Sequence, residues 1–228
     1  MIFYRKGACG RLFLLWPGLA SILLISELSL AQNFSGACPT SHYDESAVVR
    51  SVHDGDTIRL QDGRKIRLIG INTPELARGN KAERAFAANA RDQLKQLIAS
   101  SNQQIKLVYG KERLDRYQRT LAHLFLPDGQ NLQVVLLQHG LATAIAYPPN
   151  VAFSSCYQQV EQIAKCKLLG IWSDHAYATK NSAELTPESK GFHIVSGQVE
   201  RVSKSSKGIW LFMEGGLMIG IRTPDLPS

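Results

Sequence analysis

Zinc-ligand spacing is missing from this chain. Its four cysteines, Cys9, Cys38, Cys156 and Cys166, stand in no Cys–His pattern, which argues against a zinc site. Missing too is any uninterrupted apolar run long enough to cross a bilayer. The best stretch, LFLLWPGLASILLIS, is broken by Pro17 and Gly18 and closed by Glu27, short of the ~20 residues a spanning helix needs. Nor is there a strong charge bias. The 26 Lys and Arg against 19 Asp and Glu leave +7, an excess that suits a polyanionic partner without establishing one. What is there is ordinary: 228 residues, 44% hydrophobic and 20% charged, enough for one full domain plus something smaller.

The apolar stretch reads as a targeting signal instead. Arg5, Lys6 and Arg11 precede it, and Ser29-Leu30-Ala31 supplies small residues for cleavage. Residues 1–31 are therefore expected to be a signal peptide and 32–45 an N-terminal extension. The product would be exported, periplasmic or secreted, with no stable membrane insertion after cleavage. An uncleaved membrane anchor is the alternative. Export removes Cys9 and makes a disulfide plausible among the other three cysteines. Phe153 to Leu169 reads as a helix with Val160, Ile163, Ala164 and Leu168 on one stripe. Ten residues of helix separate Cys156 from Cys166 by about 15 Å, beyond disulfide reach. Cys38 is then the remaining partner. Cys156, at the helix end nearest Pro148-Pro149-Asn150, is favoured over Cys166, with unpaired thiols as the third possibility.

Strands are expected at Ser46–His53, Thr57–Leu60 and Lys65–Ile71, with Asp62-Gly63 turning the hairpin between the last two. Ile58, Leu60, Ile66 and Leu68 alternate with Arg59 and Arg67, so one face is core and the other offers arginine. Residues 82–99 suggest a helix whose inner stripe is Phe86, Ala90, Leu94, Leu97 and Ile98. Strands Gln104–Tyr109 and Thr120–Phe125 follow, then a Pro127-Asp128-Gly129 turn and a short helix ending at Gly140. The order β-β-β-α-β-β-α-α predicts an α+β domain, mainly β: a five-stranded OB-fold barrel with three helices.

Five segments carry a family resemblance: DGDTIRL, RLIGINTPE, DRYQRTLAHLF, HGLATAIAYPPN and GIW. In order and spacing they resemble the thermonuclease, or staphylococcal-nuclease-like, domain, here expected over residues 46–175. The residues are chemically suited to phosphodiester hydrolysis on their own account. Asp56 follows a glycine turn and offers a carboxylate to a hard cation. Asn72 can add an amide oxygen and Thr73 a backbone carbonyl. Glu75, directed by Pro74, can take a proton from water. Arg67 and Arg119 offer planar forks that match phosphate oxygens. The resemblance implies Arg67, Glu75 and Arg119 as the catalytic three and Asp56, Asn72 and Thr73 as a calcium site. It also implies Arg116, Tyr117 and Tyr147 at the substrate, with Tyr147 stacking on a base. Two departures weaken the match. Asn72 stands where the family usually has aspartate, and Ile145 where it has a second tyrosine. None of the six histidines falls in a nuclease motif that uses histidine as base.

The expectation is a calcium-dependent nuclease acting on DNA and RNA and leaving 3′-phosphate ends, active as a monomer. A non-catalytic single-strand-binding barrel or an envelope adaptor is the alternative. Residues 176–192 read as a polar linker. Beyond it, in 193–228, Ile219, Gly220, Ile221, Thr223 and Pro224 repeat the spacing of Ile69, Gly70, Ile71, Thr73 and Pro74. That segment resembles the opening strands of a second, partial OB barrel. Leu217 replaces Arg67, Arg222 replaces Asn72 and nothing replaces Asp56, so the copy lacks the chemistry.

Overall fold

A computed structural model describes residues 36–77, 84–190 and 193–222. The expected signal peptide, residues 32–35 of the extension, helix residues 82 and 83, and Thr223 and Pro224 of the repeat lie outside them. Five strands form a closed barrel in the order β1 (Glu45–Asp54), β2 (Thr57–Leu60), β3 (Lys65–Leu68), β6 (Thr120–Phe125), β5 (Gln104–Leu114). The parallel pairing of β3 with β6, Ile66 opposite Thr120 and Leu68 opposite Ala122, makes the closing seam. The alternation expected from sequence holds. Ile58, Leu60, Ile66 and Leu68 are all buried, and the arginines between them point away from the core.

The predicted Lys65–Ile71 strand breaks in two. Gly70 takes φ +84, and a Cβ there would lie 2.6 Å from the Tyr157 ring. Only glycine satisfies both the left-handed backbone and the close approach. The chain leaves the barrel at this bend, and β4 (Ile71–Asn72) pairs instead with β7 (Thr143–Ala144).

Helix α1 runs Ala87–Ser100 and buries Ala87, Ala90, Leu94 and Ile98 on one stripe. It starts later than expected because Phe86 has φ +65, which a right-handed helix cannot include. In α2 (Leu132–Gln138) the Asn131 side chain caps the first turn by accepting from Val134 N at 3.2 Å. Helix α3 is Ser154–Cys166, and its buried face is Tyr157, Val160, Glu161 and Ala164. Leu168, expected on that stripe, is 65% exposed. The helix stops two residues before it, and Leu168 itself adopts φ +51. After α3, Gly140 and Gly170 meet backbone to backbone. A Cβ on Gly140 would fall 2.1 Å from Leu169 O, and one on Gly170 2.3 Å from Gly140 O, where Ile171 N donates to Gly140 O at 2.8 Å.

The stretch read as a linker holds β8 (Thr179–Asn181), which pairs in parallel with β9 (Ile194–Ser196). A 3₁₀ turn capped by Asn181 and Glu184 follows β8. The last three strands, β10 (Val199–Ser205), β11 (Gly208–Met213) and β12 (Met218–Arg222), form an antiparallel sheet separate from the barrel. Among the described residues no helix is long and apolar enough to cross a membrane.

Cys38 and Cys156 are disulfide-bonded with Cα atoms 5.8 Å apart, tying the segment before β1 to the first turn of α3 across 118 residues of sequence. A closed loop that long removes much unfolded-state entropy, so Cys38→Ser combined with Cys156→Ser should cost about 3–5 kcal/mol. The readout is the urea midpoint of the double variant. A midpoint equal to wild type would mean that this tie adds nothing to stability.

Candidate functional site

Two carboxylates lie side by side under the outer surface of the barrel. Asp54 and Asp56 are both less than a tenth exposed, and Asp56 N donates to Asp54 Oδ1 at 3.1 Å. Asp56 Oδ2 collects donors from β3 and from just past β4: Thr73 N at 3.1 Å, Thr73 Oγ1 at 3.2 Å and Arg67 Nη2 at 3.1 Å. Thr57 Oγ1 donates to Oδ1 at 3.1 Å. Burial pushes the Asp56 carboxyl up; the Arg67 guanidinium pulls it back, and the neighbouring Asp54 adds to the rise.

Arg67 is therefore partly buried against this cluster on the outer face of the barrel. Its Nη1 donates to Leu68 O, and its Nη2 also reaches Ile71 O at 3.0 Å and Asn72 Oδ1 at 3.3 Å. Asp56 Oδ2, Ile71 O and Asn72 Oδ1 thus converge on one nitrogen that carries positive charge. Thr73 O lies 3.5 Å from Asn72 Nδ2. An all-oxygen set of this kind fits a hard cation such as calcium. Among the described residues no group of three His, Cys, Asp or Glu side chains has metal-holding geometry, so amide and backbone oxygens would have to complete the set.

Arg119 is held from the opposite side. Its Nε donates to Asp115 Oδ2 at 2.7 Å and its backbone N to Asp115 Oδ1 at 2.9 Å, while Nη1 is 3.5 Å from Thr57 Oγ1. Burial opposes ionisation of Asp115. The hydrogen bonds from Arg119 and Tyr117 outweigh it and keep the carboxyl below its ordinary range. Arg116 and Arg119 both sit over the Tyr117 ring, at 4.8 and 5.5 Å from its centroid.

An open cleft of about 570 Å³ runs over this face, lined by Ser51, His53, Thr57, Ile58, Arg59, Lys65, Glu75, Tyr117 and Arg119. Glu75 is exposed on its wall, placed there by the buried Pro74 and by Arg84 N donating to the Glu75 carbonyl at 3.0 Å. The fold thus brings Asp56, Arg67, Asn72 and Thr73 into one cluster, with Glu75, Tyr117 and Arg119 on the adjoining cleft. Tyr147 is exposed but is not among the residues lining that cleft. It bridges to Asn150, whose side chain clamps the Glu112 backbone at 3.0 Å. Arg116 also stays off the cleft lining.

Residues behind the site went unread in the sequence. Gln133 Nε2 donates to Ile69 O at 3.3 Å and its Oε1 accepts from Leu124 N at 3.1 Å, holding the bend at Gly70. The buried Glu161 accepts from Ala144 N at 2.8 Å and pairs with Lys165, fixing β7 and through it β4. His123 sits in the same layer, 2.9 Å from the Tyr157 hydroxyl, and burial lowers its pKa to about 4. Asp115 had a visible signal, an acidic residue four before Arg119. Asp54 had one too, in the Asp-Gly-Asp repeat.

Comparison with known proteins gives the family. Residues 65–174 match the family described as staphylococcal nuclease homologue. A thermonuclease of Staphylococcus intermedius is 38% identical over 131 residues, covering 56% of this chain and 76% of that protein. A thermonuclease of Staphylococcus hyicus is 31% identical over 160 residues, covering 68% and 93%. Endonuclease YncB of Bacillus subtilis is 35% identical over 130 residues, covering 55% and 61%. With the barrel, the cleft and these relatives together, the chain belongs to the staphylococcal nuclease family.

Proposed function

We propose that this nuclease is an exported enzyme that hydrolyses phosphodiester bonds of DNA and RNA with calcium, leaving 3′-phosphate ends. The observation that carries the reading is the placement of Glu75 and Arg119 on one open cleft, joined to the Asp56–Arg67 cluster through Thr57, which lines the cleft and donates to Asp56. In this scheme Glu75 takes a proton from a water as its oxygen attacks phosphorus. The bond from phosphorus to the 5′ oxygen breaks, and that oxygen leaves as a hydroxyl after taking a proton from solvent water. Arg119, fixed by Asp115, meets the charge that builds on the phosphoryl oxygens. Arg67 does the same from the other side with the N–H groups it does not spend on Asp56. Calcium held by Asp56, Asn72 and the Thr73 carbonyl would lend positive charge to the phosphate.

The two roles of Arg67 separate it from Glu75. Glu75→Gln should lower turnover of plasmid and of RNA by about 10²–10⁴-fold, the usual worth of a general base, with an unchanged melting temperature because the side chain is exposed. Arg119→Ala should lose activity as well. Arg67→Ala should lose activity and also about 3–5 kcal/mol of stability, because it strands a buried carboxylate. Digestion assays with calcium and with chelator, beside thermal melts, check this. Wild-type turnover in Glu75→Gln would remove the assigned base.

Calcium has to share the Asp56 and Asn72 oxygens with Arg67, and Asn72 brings no charge. Calcium binding to the free protein should therefore be weak and should tighten with a nucleotide present, since phosphate gives Arg67 another partner. Asn72→Asp should tighten calcium in the free protein about tenfold or more, as a unit charge ~4 Å from a cation contributes about 1–4 kcal/mol near a surface. Calorimetric titration of both proteins, with and without a nucleotide, tests this. Equal nucleotide-free affinities would show that position 72 is no ligand.

A further inference from the structure

Besides Arg67, three basic residues lie on the β2–β3 hairpin near the cleft, and they are used differently. Arg64 is absorbed by structure, hydrogen-bonded to Glu45, Asp62 and Tyr109. Arg59 and Lys65 are exposed, line the cleft, and are in no ion pair among the described residues. They are cross-strand partners, with Ser51 next in the same row on β1. The row above is Thr57 opposite Arg67, the place where Arg119 also arrives. Cross-strand partners and residues two apart share a face of the sheet. The basic pair and the catalytic row therefore stand on one face, separated by two residues of strand, about 6–7 Å. That step is comparable to the reach of one nucleotide unit.

Resting on the reading of this cleft as the nuclease site, we propose that Arg59 and Lys65 form a second phosphate subsite. It holds the phosphate next to the one being cut, so the enzyme grips a single strand running along β2 and β3 and favours oligonucleotides over minimal esters. Two unpaired cations on the wall of an open cleft, with Glu75 the one carboxylate among its lining residues, make a local positive field where a polyanion must lie. Arg59 brings a planar fork and Lys65 a mobile point charge. Both charges lie beyond the catalytic row, where a substrate with a single phosphate does not reach.

The test measures kcat and KM for a thymidine phosphate nitrophenyl ester and for oligonucleotides extended by one or more nucleotides on either side, with calcium. Wild type is compared with Arg59→Ser, Lys65→Ser, the double variant and Lys95→Ser, a control on the exposed side of α1. The ratio of kcat/KM on the oligonucleotide to that on the ester should fall about tenfold in the double variant, mostly through KM. Lys95→Ser should keep the wild-type ratio. The slope of log kcat/KM against log salt on oligonucleotides should flatten by about 0.7 for each contact removed from a single strand. An unchanged ratio and slope in an active double variant would overturn the subsite. So would an equal loss on ester and oligonucleotide, which would place the two side chains at the cut phosphate or in the fold. Failure of the wild type to cleave either substrate would instead overturn the nuclease assignment of the cleft.

Discussion

A carboxyl group under the surface of a barrel is costly unless its oxygens find donors, and Asp56 draws donors from three residues. Arg67 comes from β3, the Thr73 amide and hydroxyl from the end of β4, and Thr57 from β2. Thr57 is its neighbour in sequence, but neither Arg67 nor Thr73 reaches Asp56 until the hairpin has formed and the chain has turned at Gly70. The cluster is therefore a product of closed tertiary structure. Under the proposed function it also binds stability to chemistry, because the guanidinium that balances the buried carboxyl is the one assigned to the phosphate.

That turn depends in its outline on glycine and in its exact position on side chains from behind. Gln133 holds the carbonyl just before Gly70, and the Tyr157 ring fills the space a Cβ would need. Glu161, buried on α3, fixes the short strand that Asn72 pairs with. These contacts bring α2 and α3 to the back of the site, so the helices act as a brace for the loop as well as a cover for the core. Buried polar groups are expensive unless satisfied, and here the two named bonds satisfy the Ile69 carbonyl and the Ala144 N–H.

The barrel was legible because its signal is local. Ile58, Leu60, Ile66 and Leu68 alternate with period two whatever happens elsewhere, and Asp62-Gly63 marks the turn. The cluster of Asp56, Arg67, Asn72 and Thr73 was legible through resemblance. The break at Gly70 was not, because an apolar run through 71 looks like one strand; the cause is a tyrosine 87 positions later. Leu168 was misplaced for a similar reason, since helical spacing continues through LLG while the backbone has already left the helix. Strand Thr179–Asn181 hid in a polar stretch because its partner is short and mostly half-exposed. Arg59 looked like generic surface charge until its register with Lys65 placed both on the cleft.

Gly140 and Gly170 show a different kind of constraint. Each excludes a side chain at the other's position by means of backbone, and backbone cannot be trimmed. A clash between two side chains can be relieved by shrinking one of them, so such positions drift as compensating pairs. Here no second-site change of residue type opens the space. The chain's tolerance to substitution is thus narrow at this joint, where two loops cross with nothing between them.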